Sequence, residues 1–447
     1  MLVRCFDNPL AARDALLAQR QVEEVQLPDA VRARLREVFG AEVSAEEAVA
    51  RIVAEVRSDG DEAVRRWTRR LDGADLDDVR VDPRMVDAAI AATPPSVLDA
   101  LRRAADRIAA FHQRARRTSW FEPTRDGVVG QLVRPLERVA VYAPGGRALY
   151  PSTVLMAVIP ARVAGVSDVV VATPPGPDGQ PAPVLLAAAR LAGASTVYRI
   201  GGAQAIAALA FGTESVARVD KIVGPGNIFV TLAKRAVYGH VGIDGLHGPT
   251  ETLVVADATA RPEWLAADLI AQAEHDPLAQ PILICTSTAV ASRVVDCLAE
   301  QVRGLPRASI VAQALANRGA VVVAPSMEEA LELANAFAPE HLCLAVADPW
   351  RWLPLVRNAG GVFLGEVSME ALGDYVVGPS HIMPTGGTAR FASALGVDDF
   401  VKVVSVFATG PSDLREIGPV ATTLARAEGF EGHARSIELR LDPPTDR

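Results

Sequence analysis

The sequence predicts an α/β protein with two Rossmann-like doubly wound domains, an N-terminal helical region and a C-terminal helical tail. Three observations carry this. From about Arg138, short β-branched runs alternate with helical patterns, and glycine turns stand where one hands over to the other. A second alternation of the same kind starts at Glu251. Residues 1–120, by contrast, carry apolar residues at three- and four-residue spacing, the period of helices packed by one face. Repeated strand, turn and helix is the pattern of a parallel sheet covered on both sides.

Taken in order, helices are expected over Ala30–Phe39, Ala45–Asp59, Asp61–Leu71 and Pro95–Arg117. Residues 1–135 thus read as an N-terminal helical region that partly packs with the second α/β domain. The first α/β domain spans 136–249. Its strands are Val139–Tyr142, Val169–Ala172, Val197–Ile200 and Lys221–Val223; helices follow from Ser152, at Pro183–Leu191, at Ala203–Phe211 and from Ile228. The second domain spans 250–390. It alternates the strand Glu251–Ala256, a helix at Glu263–Glu274, the strand Ile282–Cys285, a helix near 289–302 and the strand Ala320–Ala324. A helix opened by Ser326 follows, and Glu329 three residues on marks a capping box. Strands at Leu342–Val346 and Val362–Leu364 complete the set, and 391–447 form the tail, helical from Gly410 to Leu439. Two such domains leave a cleft, a favoured place for a small-molecule site.

Composition narrows the function. The chain has 447 residues, half of them apolar and 22% charged, which suits a large buried interior. Its formal charge of −9 argues against nucleic acid, whose binding needs a basic face. The apolar run Thr153–Val171 is interrupted by Pro160, Arg162 and Asp168 and so is a poor bilayer span. The start resembles no signal peptide, and a cytoplasmic location is expected. Cysteines 5, 285, 297 and 343 show no paired spacing, and each is expected as a buried thiol.

Four of the seven histidines fall in the last 175 residues, each beside groups able to bind metal or move protons. Histidine has the side-chain pKa nearest neutrality and is the commonest metal ligand, so these stretches are candidate reaction centres. Gln272 and His275 lie three apart near a helix end that Asp276-Pro277 terminates, where both side chains can face the same way. Glu340-His341 sits between a helix and a strand. Neighbours in extended backbone point to opposite sides, so this pair can serve one substrate without touching. Asp374 to Thr385, containing His381, is rich in glycine and proline yet chemically loaded, as site loops are. Glu428 and His433 form the last such stretch. The dinucleotide fingerprint Gly-x-Gly-x-x-Gly is absent. The turns Pro144-Gly-Gly, Gly201-Gly-Ala-Gln204 and Gly224-Pro-Gly-Asn227 either leave backbone amides free for a phosphate or simply meet tight-turn geometry.

Together and in order, these segments resemble the histidinol dehydrogenase family. The resemblance runs through Tyr142-Ala-Pro-Gly-Gly, Tyr150-Pro-Ser-Thr-Val-Leu-Met, the block from Gly201 to Ser215, and Asp220-Lys-Ile-Val-Gly-Pro-Gly-Asn227. It continues through Gly248-Pro-Thr-Glu251, Gln272-Ala-Glu-His275, Pro339-Glu-His-Leu342, Gly373-Asp-Tyr375, His381, Pro384-Thr385, Glu428 and His433. It implies oxidation of L-histidinol to L-histidine through histidinaldehyde, the last step of histidine biosynthesis, with two NAD and one zinc per subunit. It implies Gln272, His275, Asp374 and His433 as zinc ligands, His341 as the base for the alcohol proton, and Glu340 as the group activating water. Thr250, His381 and Glu428, together with the zinc ligands and His341, match substrate positions. Tyr142, Gln204 and Asn227 match NAD positions. It also implies a homodimer whose C-terminal tail reaches the partner's site.

Thr250 stands where some members have serine, Ser380 where asparagine is common, and Ala394 where serine or proline is usual. Alternatives therefore stand at this point: a related zinc- and NAD-dependent dehydrogenase for another polar alcohol such as a sulfonated diol, a zinc hydrolase, or a noncatalytic binding protein. The hydrolase reading lacks a His-Glu-x-x-His pattern.

Overall fold

The computed structural model describes residues 2–18, 27–145 and 149–442. Two units are distinguished: residues 1–115 with 136–400, and residues 116–135 with 401–447.

The larger unit contains two parallel sheets. The first orders its strands Thr196–Tyr198, Asp168–Ala172, Arg138–Tyr142, Lys221–Val223 and Gly242–Ile243. Its chain starts in the middle, winds outward on one side and then crosses to the other, which places a switch point between Arg138–Tyr142 and Lys221–Val223. The second sheet orders Arg4–Phe6, Ala320–Val323, Gln280–Cys285, Glu251–Ala256, His341–Ala345 and Gly361–Leu364. Its four inner strands are buried almost throughout and mostly valine, isoleucine, leucine and alanine, as a sheet covered on both faces requires. The edge strand Arg4–Phe6 pairs in parallel with Ala320–Val322 and brings a β-element into a stretch expected to be wholly helical. Short strands lacking alternation leave little local signal.

The helix that begins at Ala45, after a capping box between Ser44 and Glu47, runs to Asp72. Gly60 breaks it at φ 55, where a Cβ would sit 2.5 Å from the Glu214 carboxylate. That carboxylate accepts the Asp61 N–H at 2.9 Å. The break is the boundary the sequence places between two helices. Apolar residues of this helix, Val49, Ile52, Val64 and Trp67 among them, share a buried cluster with Ile206, Leu209 and Ile222 of the first sheet's layer. The helix Pro9–Ala18 instead buries Ala12 and Leu16 against the second sheet. Ser326 caps its helix by accepting the Glu329 N–H at 3.2 Å, so only this half of the expected box is made.

The smaller unit holds an antiparallel sheet ordered Val401–Ala408, Val128–Pro135 and Trp120–Pro123, followed by helices Pro411–Ala427 and Glu431–Leu441. The helices were expected; the sheet was not. Its two longer strands pair across most of the chain, Val401 opposite Pro135, and such pairing has no local signature. Cys5 is exposed rather than buried, while Cys285, Cys297 and Cys343 are buried as expected.

Candidate active site

The reactive groups gather at the amino ends of two adjacent inner strands of the second sheet, Glu251–Ala256 and His341–Ala345. Pairing places His341 beside Thr252, and the residues just before these positions, Glu340, Thr250 and Glu251, turn into the same place. Glu340 and His341 are 7% and 3% exposed. The two side chains, expected on opposite sides of extended backbone, lie close together, with Glu340 Oε2 3.6 Å from His341 Nδ1. The backbone is not yet regularly extended at Glu340, which precedes the strand, so the strict alternation of strand side chains does not apply.

One hydroxyl organises this corner. Thr250 Oγ1 donates to Glu340 Oε2 at 2.7 Å and accepts from the Gln272 amide nitrogen. The Glu251 N–H donates to the same Glu340 oxygen at 3.0 Å. His341 Nδ1 lies 3.1 Å from the Glu251 carbonyl oxygen, an acceptor, so this nitrogen carries the hydrogen and Nε2 is left as the basic atom. Nε2 is buried without a hydrogen-bond partner and stands 3.7 Å from Asp374 Oδ1. Burial disfavours a charged His341, but Glu340, Asp374 and Glu370 outweigh it and raise its pKa to about 10. Burial alone would raise Asp374 too, yet His341, His381 and His275 hold it below its usual value.

His381 is fixed as a neutral ring: Nδ1 donates to the Asp374 carbonyl oxygen at 2.8 Å, and Nε2 accepts from Thr153 Oγ1 at 2.9 Å. Burial lowers its pKa accordingly. Ser380 Oγ is also buried, donating to the Met156 carbonyl at 3.3 Å, so it faces the fold's interior rather than a site rim. Gln272 is buried on the last turn of its helix, which ends at Ala273, and His275 lies exposed two residues beyond that end. Gln272 directs its amide nitrogen at Thr250, and that nitrogen lies 3.5 Å from His341 Nδ1, so its carbonyl oxygen points away from these two contacts.

Gln272, His275 and Asp374 together offer one nitrogen and two oxygens, a donor set that suits zinc with positions left open. Among the described residues no three His, Cys, Asp or Glu side chains gather as a metal site; this set takes two of those types and a glutamine. Glu428 and His433 belong to the smaller unit, where both are exposed and His433 lies against Phe430, ring centroids 5.2 Å apart.

The cofactor candidates sit at the carboxyl ends of the first sheet. Tyr142 is 3% exposed, and its hydroxyl accepts the Gly202 N–H at 3.1 Å. Gln204 donates to Asp72 at 3.1 Å, while its Oε1 is buried without a partner. Burial lifts Asp72 to about 6. Asn227 caps the helix Ile228–Val237 by accepting from Phe229 N and Val230 N. Of the amides expected free in the glycine turns, Gly202 N is thus taken by Tyr142 and Gly224 N by Asp244. Gly224 is required for closeness: at φ 112, a Cβ would meet the Tyr142 carbonyl oxygen at 2.2 Å. Gly146 of the first turn lies outside the described residues.

Sequence reasoning missed Thr153, Thr252 and Glu370. Glu370 is 1% exposed, accepts from the Thr252 hydroxyl, and is pushed up to about 7 by burial. It stands four residues before Asp374 on one short helix, and that spacing was the available signal.

Two doubly wound sheets and a buried imidazole set among carboxylates define an α/β enzyme equipped for proton transfer. A family model described as histidinol dehydrogenase matches residues 37–441. The chain is 53% identical over 432 residues to the histidinol dehydrogenase of Deinococcus radiodurans, covering 96% of this chain and 98% of that one. It is 52% identical over 411 residues to that of Thermus thermophilus, covering 92% and 98%. The crystal structure of histidinol dehydrogenase from Elizabethkingia anophelis superposes with a TM-score of 0.90 at 34% identity, covering 98% of each chain. The chain belongs to the histidinol dehydrogenase family.

Proposed function

We propose that this chain oxidises L-histidinol to L-histidine through histidinaldehyde, the last step of histidine biosynthesis, using two NAD and one water. The observation that carries the mechanism is the pairing of His341 and Glu340: one imidazole with its hydrogen committed to Glu251, leaving Nε2 basic, and one carboxylate at its side. Nε2 of His341 takes the alcohol proton as the first hydride leaves. Glu340, oriented by Thr250 and the Glu251 amide, takes a proton from the water that adds to the aldehyde, and the hydrate then gives up the second hydride. Bound zinc would supply a fixed anchor and Lewis acid for the substrate's nitrogens, and NAD the hydride acceptor. Gln272, His275 and Asp374 would hold the metal; with Asp374 so engaged, its pull on His341 weakens and the imidazole returns toward the range of a working base. Thr250 and His381 would line the substrate, and Tyr142, Gln204 and Asn227 the cofactor. That division assigns NAD to residues 136–249 and the reaction groups to residues 250–390.

The exposed His433 and Glu428 support a shared site, in which a homodimer lends both residues to the partner. The smaller unit carries further exposed apolar side chains, Phe407, Val420, Leu424, Phe430 and Leu439, that such an interface would cover. Among the described residues no helix is long and apolar enough to cross a membrane. The free thiols fit a reducing, cytoplasmic setting.

Turnover in oxygen-18 water tests the reaction: the histidine carboxylate should carry one labelled oxygen, and absence of labelled histidine would sink the proposal. Mixing His341→Asn with His433→Ala subunits tests the sharing. Random reassociation should restore about a quarter of wild-type activity, because half the dimers hold one intact site. No recovery on demonstrated exchange would put His433 in its own subunit's site.

A further inference from the structure

A second buried polar cluster lies outside the reaction groups. Lys234, 2% exposed on the helix Ile228–Val237, donates to the Gly224 carbonyl at 3.1 Å and to Asp244 Oδ1. Asp244, with its side chain 3% exposed, accepts the Gly224 N–H at 2.7 Å and the Gly245 N–H at 2.9 Å. Its Oδ2 faces His247 Nε2 at 3.2 Å, and His247 Nδ1 faces the Met383 carbonyl oxygen at 3.1 Å. Both of these oxygens are acceptors, so the ring serves both only with a hydrogen on each nitrogen. Beside it, the Gly248 N–H donates to Thr385 Oγ1 at 2.7 Å. A continuous path of hydrogen bonds therefore joins the turn that begins at Gly224 to the loop that holds His381.

We propose that His247 is a positioning residue for the reaction: through Asp244 and Lys234 it fixes the His381–Thr385 loop to the turn Gly224–Asn227. This rests on the reading of that turn as a cofactor site and of His381 as a substrate neighbour. A buried ion pair gains little over apolar packing once desolvation is counted, so its contribution here is geometric. Lys234 and Asp244 clamp Gly224 from both its N–H and its C=O. His247 extends the clamp to the backbone two residues from His381, whose ring nitrogens are bound by Thr153 and Asp374. Displacement of a reacting carbon by a fraction of an ångström from the hydride acceptor is costly in rate, and this bridge spans the two sides.

The test uses the full-length, zinc-loaded dimer with L-histidinol and NAD. His247→Ala should lower kcat about tenfold, while KM for NAD stays within about twofold, because the Lys234–Asp244 clamp on Gly224 is untouched. His247→Gln, whose amide nitrogen still donates, should recover part of the loss. Amide hydrogen exchange should quicken across residues 380–385 in His247→Ala and not across 224–230. An unchanged kcat, or a loss that only follows the fraction of unfolded protein, would overturn the proposal. Gln204→Ala separates the premises: unchanged KM for NAD there would undo the cofactor assignment alone, whereas the role of His247 stands or falls with the kcat and exchange of its own variants.

Discussion

The two parallel sheets carry their polar groups at opposite ends. The first sheet places Tyr142, Gln204 and Asn227 beyond the carboxyl ends of its strands, at the switch point where open α/β sheets usually hold ligands. The second sheet places Thr250, Glu340 and His341 at the amino ends of its strands. The chemistry differs as well. At the carboxyl ends Tyr142, Gln204 and Asn227 are neutral side chains, and the carboxyls nearby, Asp72 and Asp244, are bound by Gln204 and by Lys234 with the Gly224 amide. At the amino ends an imidazole is surrounded by Glu340, Glu370 and Asp374. Fold class alone therefore does not locate a reaction centre; the side chains at each sheet end do.

The comparison is broken most severely at His341. His341→Asn should lower kcat by about 10²–10⁴-fold, the range of a lost general base, with zinc content unchanged by metal analysis; a loss under about threefold would move the base elsewhere. Thr250→Ala removes the hydroxyl shared by Glu340 and Gln272. It should cost about 1–3 kcal/mol of transition-state stabilisation, seen in kcat/KM. At the other sheet, Gln204→Ala should raise KM for NAD about tenfold and leave kcat nearly intact, the split that separates a cofactor-holding end from a reacting one.

A separate readout is stability against pH in the metal-free protein. His341 has a folded-state pKa raised to about 10, above its ordinary value of 6.5. Its contribution is therefore full below about pH 6.5 and is lost as pH rises toward 10. Denaturant titrations of metal-free wild type and His341→Gln should converge across that window, and a constant difference would contradict the assignment. Added zinc should narrow the window from above.

Much of this was legible in the sequence because its signals are local. Glu251–Ala256 is an apolar run headed by two polar residues, Glu251 and Thr252, and its bounds are those expected. Gly60 separates two amphipathic stretches and does so by its positive φ. The site residues of the larger unit were named from short motifs, and the structure brings Thr250, Gln272, Glu340, His341, Asp374 and His381 into one linked network. What local pattern could not supply was partnership. Nothing near Val401 announces Val128–Pro135 as its neighbour. The Thr252–Glu370 bond joins residues far apart in the chain, and His247 gains meaning only through Asp244 and Met383. Glu340 and His341 were set on opposite sides because alternation was assumed one residue before the strand begins.

The most direct measurement counts NADH formed per L-histidinol consumed by the zinc-loaded protein. Two NADH per alcohol, with histidine as product, is the result the pairing of Glu340 and His341 predicts. One NADH per alcohol, with the aldehyde released, would contradict it, because Glu340 would then not be serving the second oxidation.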